Sequence, residues 1–274
     1  MQEPRELAMD PPPRSAALTL GRHLLGRLYE PDKRDWSLAR LMELAEPSAG
    51  TVDMTVQEVL DKTPYFSTWP NYLVFWRWLK RQSKKKPTPT PGTPAWPLKI
   101  QLDQGQTGHC VGFGWSAWVD AEPVEGNYQN ADAHALYYEC KVIDGEPLAE
   151  NGSYVRSGAL ALRNRGRLAA FAFAKSTKEI DDWLNNNGPI VVGTAWTEDM
   201  FDPDPTGLVK TTGAVAGGHC YTMLDKIDED DTYLFQNSWG ASWGQNGRFR
   251  MKRSDFGGLL ADQGEACCAA ELPH

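Results

Sequence analysis

The sequence predicts an α+β fold, with helices in the first part of its main domain and antiparallel strands in the second, on three observations. Helical readings fall at about 110–120, 131–143, 153–166 and 177–187. Strand readings then dominate at 189–196, 219–228, 232–239 and 247–254, rich in Val, Tyr, Phe and Trp and separated by Gly, Asp and Asn turns. Helices grouped ahead of strands are the pattern of a sheet with its helices segregated to one side.

Taken in chain order, residues 1–16 are rich in Pro and charge, and a short helical reading covers Leu18 to Leu28. Thr55-Val-Gln-Glu58 has the form of a capping box, and Tyr72, Phe75, Trp76 and Leu79 make an apolar stripe, so 55–61 and 71–81 read as helices. The run from Pro87 to Pro94 is stiff and extended, which places a boundary near residue 97: 1–97 as an N-terminal extension and 98–274 as the main domain. Within that domain the helix at 177–187 opens with Ser176-Thr-Lys-Glu179 and closes at Asn187-Gly188-Pro189. Most of the eleven tryptophans read as packing.

Composition narrows the function. A chain of 274 residues with 41% hydrophobic and 23% charged residues buries a full core without staples. A net charge of −8 excludes phosphate-backbone binding as the main activity, so no nucleic-acid partner is expected, and the basic run Lys80 to Lys86 reads as a solvated linker edge. Five cysteines form no framework, and Met1 to Arg14 lacks the apolar core of a signal peptide, which points to a reduced, cytoplasmic setting. The most apolar window, Tyr72 to Leu79, contains Arg77 and is far shorter than the roughly 20 residues of a membrane span. No membrane partner is expected.

Three motifs carry chemistry. In Gln104-Gly-Gln-Thr-Gly-His-Cys110-Val-Gly-Phe-Gly-Trp115 a cysteine sits where a Gly-containing loop meets a helix. Backbone N–H groups at a helix N-terminus favour a thiolate, and a nearby histidine cation favours it further. Ala216-Gly-Gly-His219 places a histidine at the start of a strand, and Phe235-Gln-Asn237-Ser-Trp239-Gly-Ala-Ser-Trp243-Gly-Gln-Asn-Gly247 follows it.

These motifs, in this order, resemble the papain-like cysteine peptidases. The resemblance implies a two-subdomain fold, a helical left part carrying Cys110 and a sheet-built right part carrying His219 and Asn237. It implies Cys110 as nucleophile, His219 as general base and acid, and Asn237 orienting the imidazole, with Trp239 shielding that contact from water. Gln104 and the Cys110 backbone N–H would receive the oxyanion, and a thiolate–imidazolium pair would be the resting state. The implied substrate is a polypeptide, with no cofactor or metal. Glu30-Pro-Asp-Lys-Arg-Asp35-Trp is similar to the entry segment of compact bacterial and phage-encoded members, which would make 50–97 an insertion and allow a virion setting.

Several residues depart from the family pattern: His109, Val111 and Thr107 stand where Ser, Trp and Cys are usual. His109 reads as a surface loop residue, and His23 and His134 show no partners. The 109 positions from Cys110 to His219 are fewer than the roughly 130–150 expected of the family. The two His-Cys pairs, 109–110 and 219–220, would make a tetrahedral zinc site only if Cys220 shared a face with His219, and neighbouring strand residues do not. Cys140, Cys267 and Cys268 read as structural or tail residues. A cell-wall amidase or acyl-transferase using the same triad, and a catalytically silent assembly protein using 1–97 for protein contacts, are the alternatives. The front segment would serve as an inhibitory pro-region cut in the linker at 80–97.

Overall fold

A computed structural model describes residues 23–30, 94–123, 125–150 and 152–271. The predicted helices at 55–61 and 71–81, most of the 80–97 linker and the 31–35 entry segment lie outside the described residues.

The helical part comprises α1 (Cys110–Asp120), α2 (Asn130–Ile143) and α3 (Val155–Asn164), and α4 (Thr177–Asn186) covers the sheet. Each falls within two residues of its predicted span. The α2 N-terminus is closed by a capping box between Gln129 and Asp132, and the Ser176 side chain accepts from the Glu179 N–H at the start of α4. Helix α1 is buried on every side, so its sequence carries no polar stripe. Gly112 lets it approach α2 closely, since a Cβ there would lie 2.4 Å from the Ala133 carbonyl oxygen.

One six-stranded antiparallel sheet runs in the order β3 (Leu168–Phe173), β8 (Glu265–Glu271), β4 (Ile190–Thr197), β5 (Val215–Ile227), β6 (Thr232–Gln236) and β7 (Arg248–Lys252). Period-2 alternation sorts its residues between two cores. Val191, Cys220, Cys267 and Ala269 join Trp115, Trp118 and Val119 of α1 on one side. Ile190, Val192, Trp196, Tyr221, Met223 and Cys268 face the other core, with Phe235, Trp239 and Phe249. Ala95 and Trp96 pack into this second core, and the Trp96 indole donates to the Leu184 carbonyl at 2.8 Å.

The four predicted strands are present, although β5 begins at Val215, four residues ahead of its predicted start. Among the described residues, β3, β8, helix α5 (Arg253–Ala261), the short strand Ser153–Tyr154 and the 3-10 turn Glu198–Phe201 escape the sequence reading. Strands β3 (LAAFAF) and β8 (EACCAAE) are built mainly of small residues with weak strand preference, and burial between the helices and the sheet outweighs that preference. Cys267 and Cys268 therefore sit inside the sheet and not in a tail. The helical reading of 18–28 gives way to extended chain at its described end, where β1 (Arg27–Leu28) pairs in parallel with β2 (Ser153–Tyr154).

The loop that carries β2 is fastened from inside. Lys141, fully buried, donates to Glu146 at 3.0 Å and to the Gly152 carbonyl at 2.9 Å, and lies 3.5 Å from Asp144. Asp144 in turn accepts from Ser153 and Ser157. Replacing Lys141 by Met leaves a buried carboxylate without its cation, and a loss of roughly 3 kcal/mol is expected in urea denaturation. A change below about 0.5 kcal/mol would show that the loop is held otherwise.

Candidate active site

Cys110 is the first residue of α1 and is fully buried, with backbone groups of Cys220, Gly26 and Val111 placed to favour its thiolate. His219 stands on β5, beside Cys220. Its Nε2 lies 2.8 Å from Asn237 Oδ1, an oxygen that also accepts from the Ser238 N–H. An amide oxygen can only accept, so Nε2 carries the proton and Nδ1 keeps a lone pair. That Nδ1 is buried and has no hydrogen-bond partner among the described residues. Trp239 stacks on the imidazole at 4.7 Å and Trp196 meets it edge-on at 4.9 Å.

Gln104 reaches the same place by a different route. Its backbone N–H donates to the Ser238 carbonyl at 2.9 Å, and Asp103 bridges to Trp239. Its side-chain oxygen accepts from Ser238 Oγ at 2.6 Å, which points the NH₂ into the cleft. Ser238 was not singled out from sequence, although it lies within the Asn-Ser-Trp-Gly run. It ties Gln104 to Asn237 across the two halves of the fold.

Residues 23–28 run through this cleft. His23 stacks on Trp239 at 4.4 Å, and the Leu24 carbonyl accepts from Gln104 Nε2 at 3.1 Å. Gly26 passes over Cys110 so closely to Gly108 that a Cβ on Gly26 would fall 1.8 Å from the Gly108 carbonyl oxygen. The Gly26 carbonyl accepts from the Ser153 N–H at 2.8 Å, and the Arg27 carbonyl lies against Gly218. The segment thus touches both walls and the sulfur between them.

This cover sets the charge state. Burial pushes the Cys110 thiol up to about 11, against the pull of the backbone hydrogen bonds from Cys220, Gly26 and Val111 and of the Arg27 charge. Burial pushes His219 down to about 4; the Asn237 hydrogen bond opposes this and the nearby His23 adds to it. Burial thus disfavours the charged forms of both the Cys110 thiol and the His219 imidazole, which works against the thiolate–imidazolium pair expected from sequence.

His109 is also corrected. It is buried, with Nδ1 2.7 Å from His134 Nδ1, Nε2 2.6 Å from Glu150 Oε2, and its ring stacked on Tyr137 at 3.7 Å. The histidine before Cys110 braces the loop that carries β2, and His134, which lacked a visible partner, is part of that brace. His23 likewise has one, in Trp239. Cys140 and Cys220 are buried in the helical core, and no group of three or more metal-ligating side chains forms among the described residues.

A depressed His219 pKa fixes the sign of one pH effect. An unfolded chain binds a proton at His219 below about 6.5 and the covered fold does not, so stability falls as pH drops from about 6.5 towards 4. The expected loss is on the order of 3 kcal/mol at pH 4, read from urea denaturation at each pH. The His219→Gln chain should lack that component, and identical pH dependence in the two would refute it.

The family model for "Papain family cysteine protease" matches residues 156–267, a stretch that contains His219 and Asn237 and stops short of Gln104 and Cys110. Cathepsin B-like cysteine proteinase 5 of Caenorhabditis elegans is 36% identical over 86 residues, covering 31% of this chain and 25% of that protein. Cathepsin B of Dictyostelium discoideum is 30% identical over 103 residues, covering 37% of this chain and 33% of that protein. The chain thus spans a third or less of the length of these two relatives. Among solved structures, xylellain, a cysteine protease from Xylella fastidiosa, superposes with a TM-score of 0.61 at 15% identity, over 91% of this chain and 96% of that one. At that identity the likeness concerns the fold. The chain is thus similar to the papain family of cysteine proteases over residues 156–267 and shares the fold of a solved cysteine protease.

Proposed function

We propose that the chain hydrolyses peptide bonds with Cys110 as nucleophile, His219 as base and acid, and Asn237 as the group that orients the imidazole. The supporting observation is a peptide already seated in the cleft, its Leu24 carbonyl on the Gln104 amide and its Gly26 backbone on the Cys110 sulfur. A site that grips a backbone in this way grips a substrate backbone by the same groups.

Once residues 23–28 give way to substrate, water reaches the pair and the Cys110 proton moves to the bare Nδ1 of His219. The helix N-terminus stabilises the resulting thiolate. The sulfur then adds to the scissile carbonyl, and its oxygen takes up negative charge facing Gln104 Nε2 and the Cys110 N–H. As the C–N bond breaks, the proton on Nδ1 passes to the leaving nitrogen. Water, deprotonated by the same nitrogen, adds to the thioester, and the acid leaves as the thiol is restored. Asn237 holds the Nε2 proton throughout, and Trp239 and Trp196 keep that bond dry.

We read 98–274 as the catalytic domain and 1–97 as an extension that inhibits by crossing the cleft at 23–28, with a polypeptide as partner and a cytoplasmic setting. Fluorogenic peptides offered to the full chain carrying Arg27→Ala, which loosens the cover, test the reading. Cleavage is expected, with Cys110→Ala inactive, Gln104→Ala about 10²–10³ slower in kcat, and Asn237→Ala slowed but active. Undiminished cleavage by the Cys110→Ala chain would end the proposal.

A further inference from the structure

One wall of the cleft is held at one remove from Cys110. Ser153, whose N–H donates to the Gly26 carbonyl at 2.8 Å, closes the loop that leaves α2. Glu150 ties that loop to His109, whose Nε2 lies 2.6 Å from Oε2. His109 is 2% exposed and directly precedes Cys110 at the start of α1. Its other nitrogen, Nδ1, meets Nδ1 of His134 on α2 at 2.7 Å. Phe113 lies edge-on to His134, Tyr137 stacks on His109, and the Tyr138 hydroxyl donates to the second Glu150 oxygen at 3.0 Å. The Tyr137 hydroxyl completes the join, donating to the Ala149 carbonyl and accepting from the Gly152 N–H, both at 3.2 Å.

Geometry limits the protons on this line. A carboxylate oxygen accepts, so His109 Nε2 is the donor to Glu150. Two ring nitrogens 2.7 Å apart hold one hydrogen between them, given by one ring and accepted by the other. One imidazolium satisfies the line, whereas two would set N–H against N–H. We propose that His109, His134 and Glu150 are positioning residues for peptide binding: with at most one imidazolium they fix the Ser153 N–H against the bound backbone, and a second proton frees it. The consequence for turnover rests on the peptidase reading; the consequence for the Ser153 N–H does not. Burial and the His109 charge hold the His134 imidazole below its usual range, and the His109 hydrogen bond holds the Glu150 carboxyl below its own. Glu150 therefore stays ionised while the second proton enters. The other titratable groups about the trio, Tyr137 and Tyr138 of α2 and Cys110 of α1, all titrate well above neutral pH. Release takes up one proton, so a freed histidine near its ordinary value of 6.5 favours the released wall about tenfold more at pH 5.5 than at pH 7.5.

Hydrogen exchange of the full chain, followed by mass spectrometry and corrected for the intrinsic effect of pH, reads the Ser153 N–H directly. Protection over 150–154 should fall about tenfold between pH 7.5 and 5.5. In His134→Asn the amide stands where Nδ1 stood and can donate or accept, so the fall should vanish. Glu150→Gln, a change at an exposed carboxylate, removes the anion that draws protons to the rings and should move the fall to lower pH; it decides the matter if His134→Asn does not fold. A wild-type chain with no fall overturns the proposal, as does an equal fall in both variants. A fall that disappears in His219→Gln would place the titration in the active site and overturn it as well. With a fluorogenic peptide and the Arg27→Ala chain, KM should rise about tenfold over the same interval. Adding His134→Asn should remove that rise, the difference lying in KM and not in kcat. A flat KM while Ser153 loosens overturns the role in peptide binding. The expected exchange behaviour with no cleavage of any peptide supports the proton-limited brace and refutes the peptidase reading instead.

Discussion

Helix α1 has no solvent face, and the position of every group in the site follows from that. Wedged between α2 and the sheet, it is held along one side by Gly112 against α2 and along the other by Thr222, whose hydroxyl donates to the Gly114 carbonyl at 2.7 Å. Its first residue, Cys110, has no freedom to swing away from β5. Because Cys220 and Thr222 are β5 residues that meet α1, the alternation of a strand turns His219 to the opposite core, where it meets Asn237 and Trp239. The same packing that builds two hydrophobic layers puts a thiol at their seam. Asp103 and Gln104 complete the arrangement by pairing with the 238–240 turn, so the Gln104 amide and the Asn237 partner of the imidazole share one short hydrogen-bonded patch.

Two environments compete over that thiol. The helix terminus and the neighbouring backbone of Cys220, Gly26 and Val111 favour its anion, and burial favours the neutral form more strongly. Charge separation needs solvent at the seam, so the reactive state and the covered state are mutually exclusive. The acidic partner of Arg27 stands on β8, a strand of the main sheet, and thus the grip on the segment is anchored in the rigid part of the fold and not in a loop.

What could be read from the sequence was what leaves a local mark. Helical periodicity, capping boxes at Ser176 and strong strand formers set out most elements to within a turn, and the Gln-Cys, His and Asn-Ser-Trp-Gly runs marked the site residues because each is a short string. Contacts between distant residues left no such mark. Arg27 and Glu265 are 238 positions apart, His109 and Glu150 are 41 apart, and neither pair could be seen without the fold. Strands β3 and β8 were missed because Ala and Cys earn strand geometry only from their neighbours. The burial that acts on Cys110 and His219 was likewise not legible, since it comes from residues far apart in the chain.

Covalent attachment of the covering segment has a kinetic meaning. A separate inhibitor dissociates on dilution, whereas an occupant carried on the same chain returns to its cleft at a rate that does not depend on how much protein is present. Under the proposed inhibition, latency is a first-order property of each molecule. Neither dilution nor the abundance of other copies alters it, and only cleavage of the chain, a change in pH or a competing peptide can shift the balance.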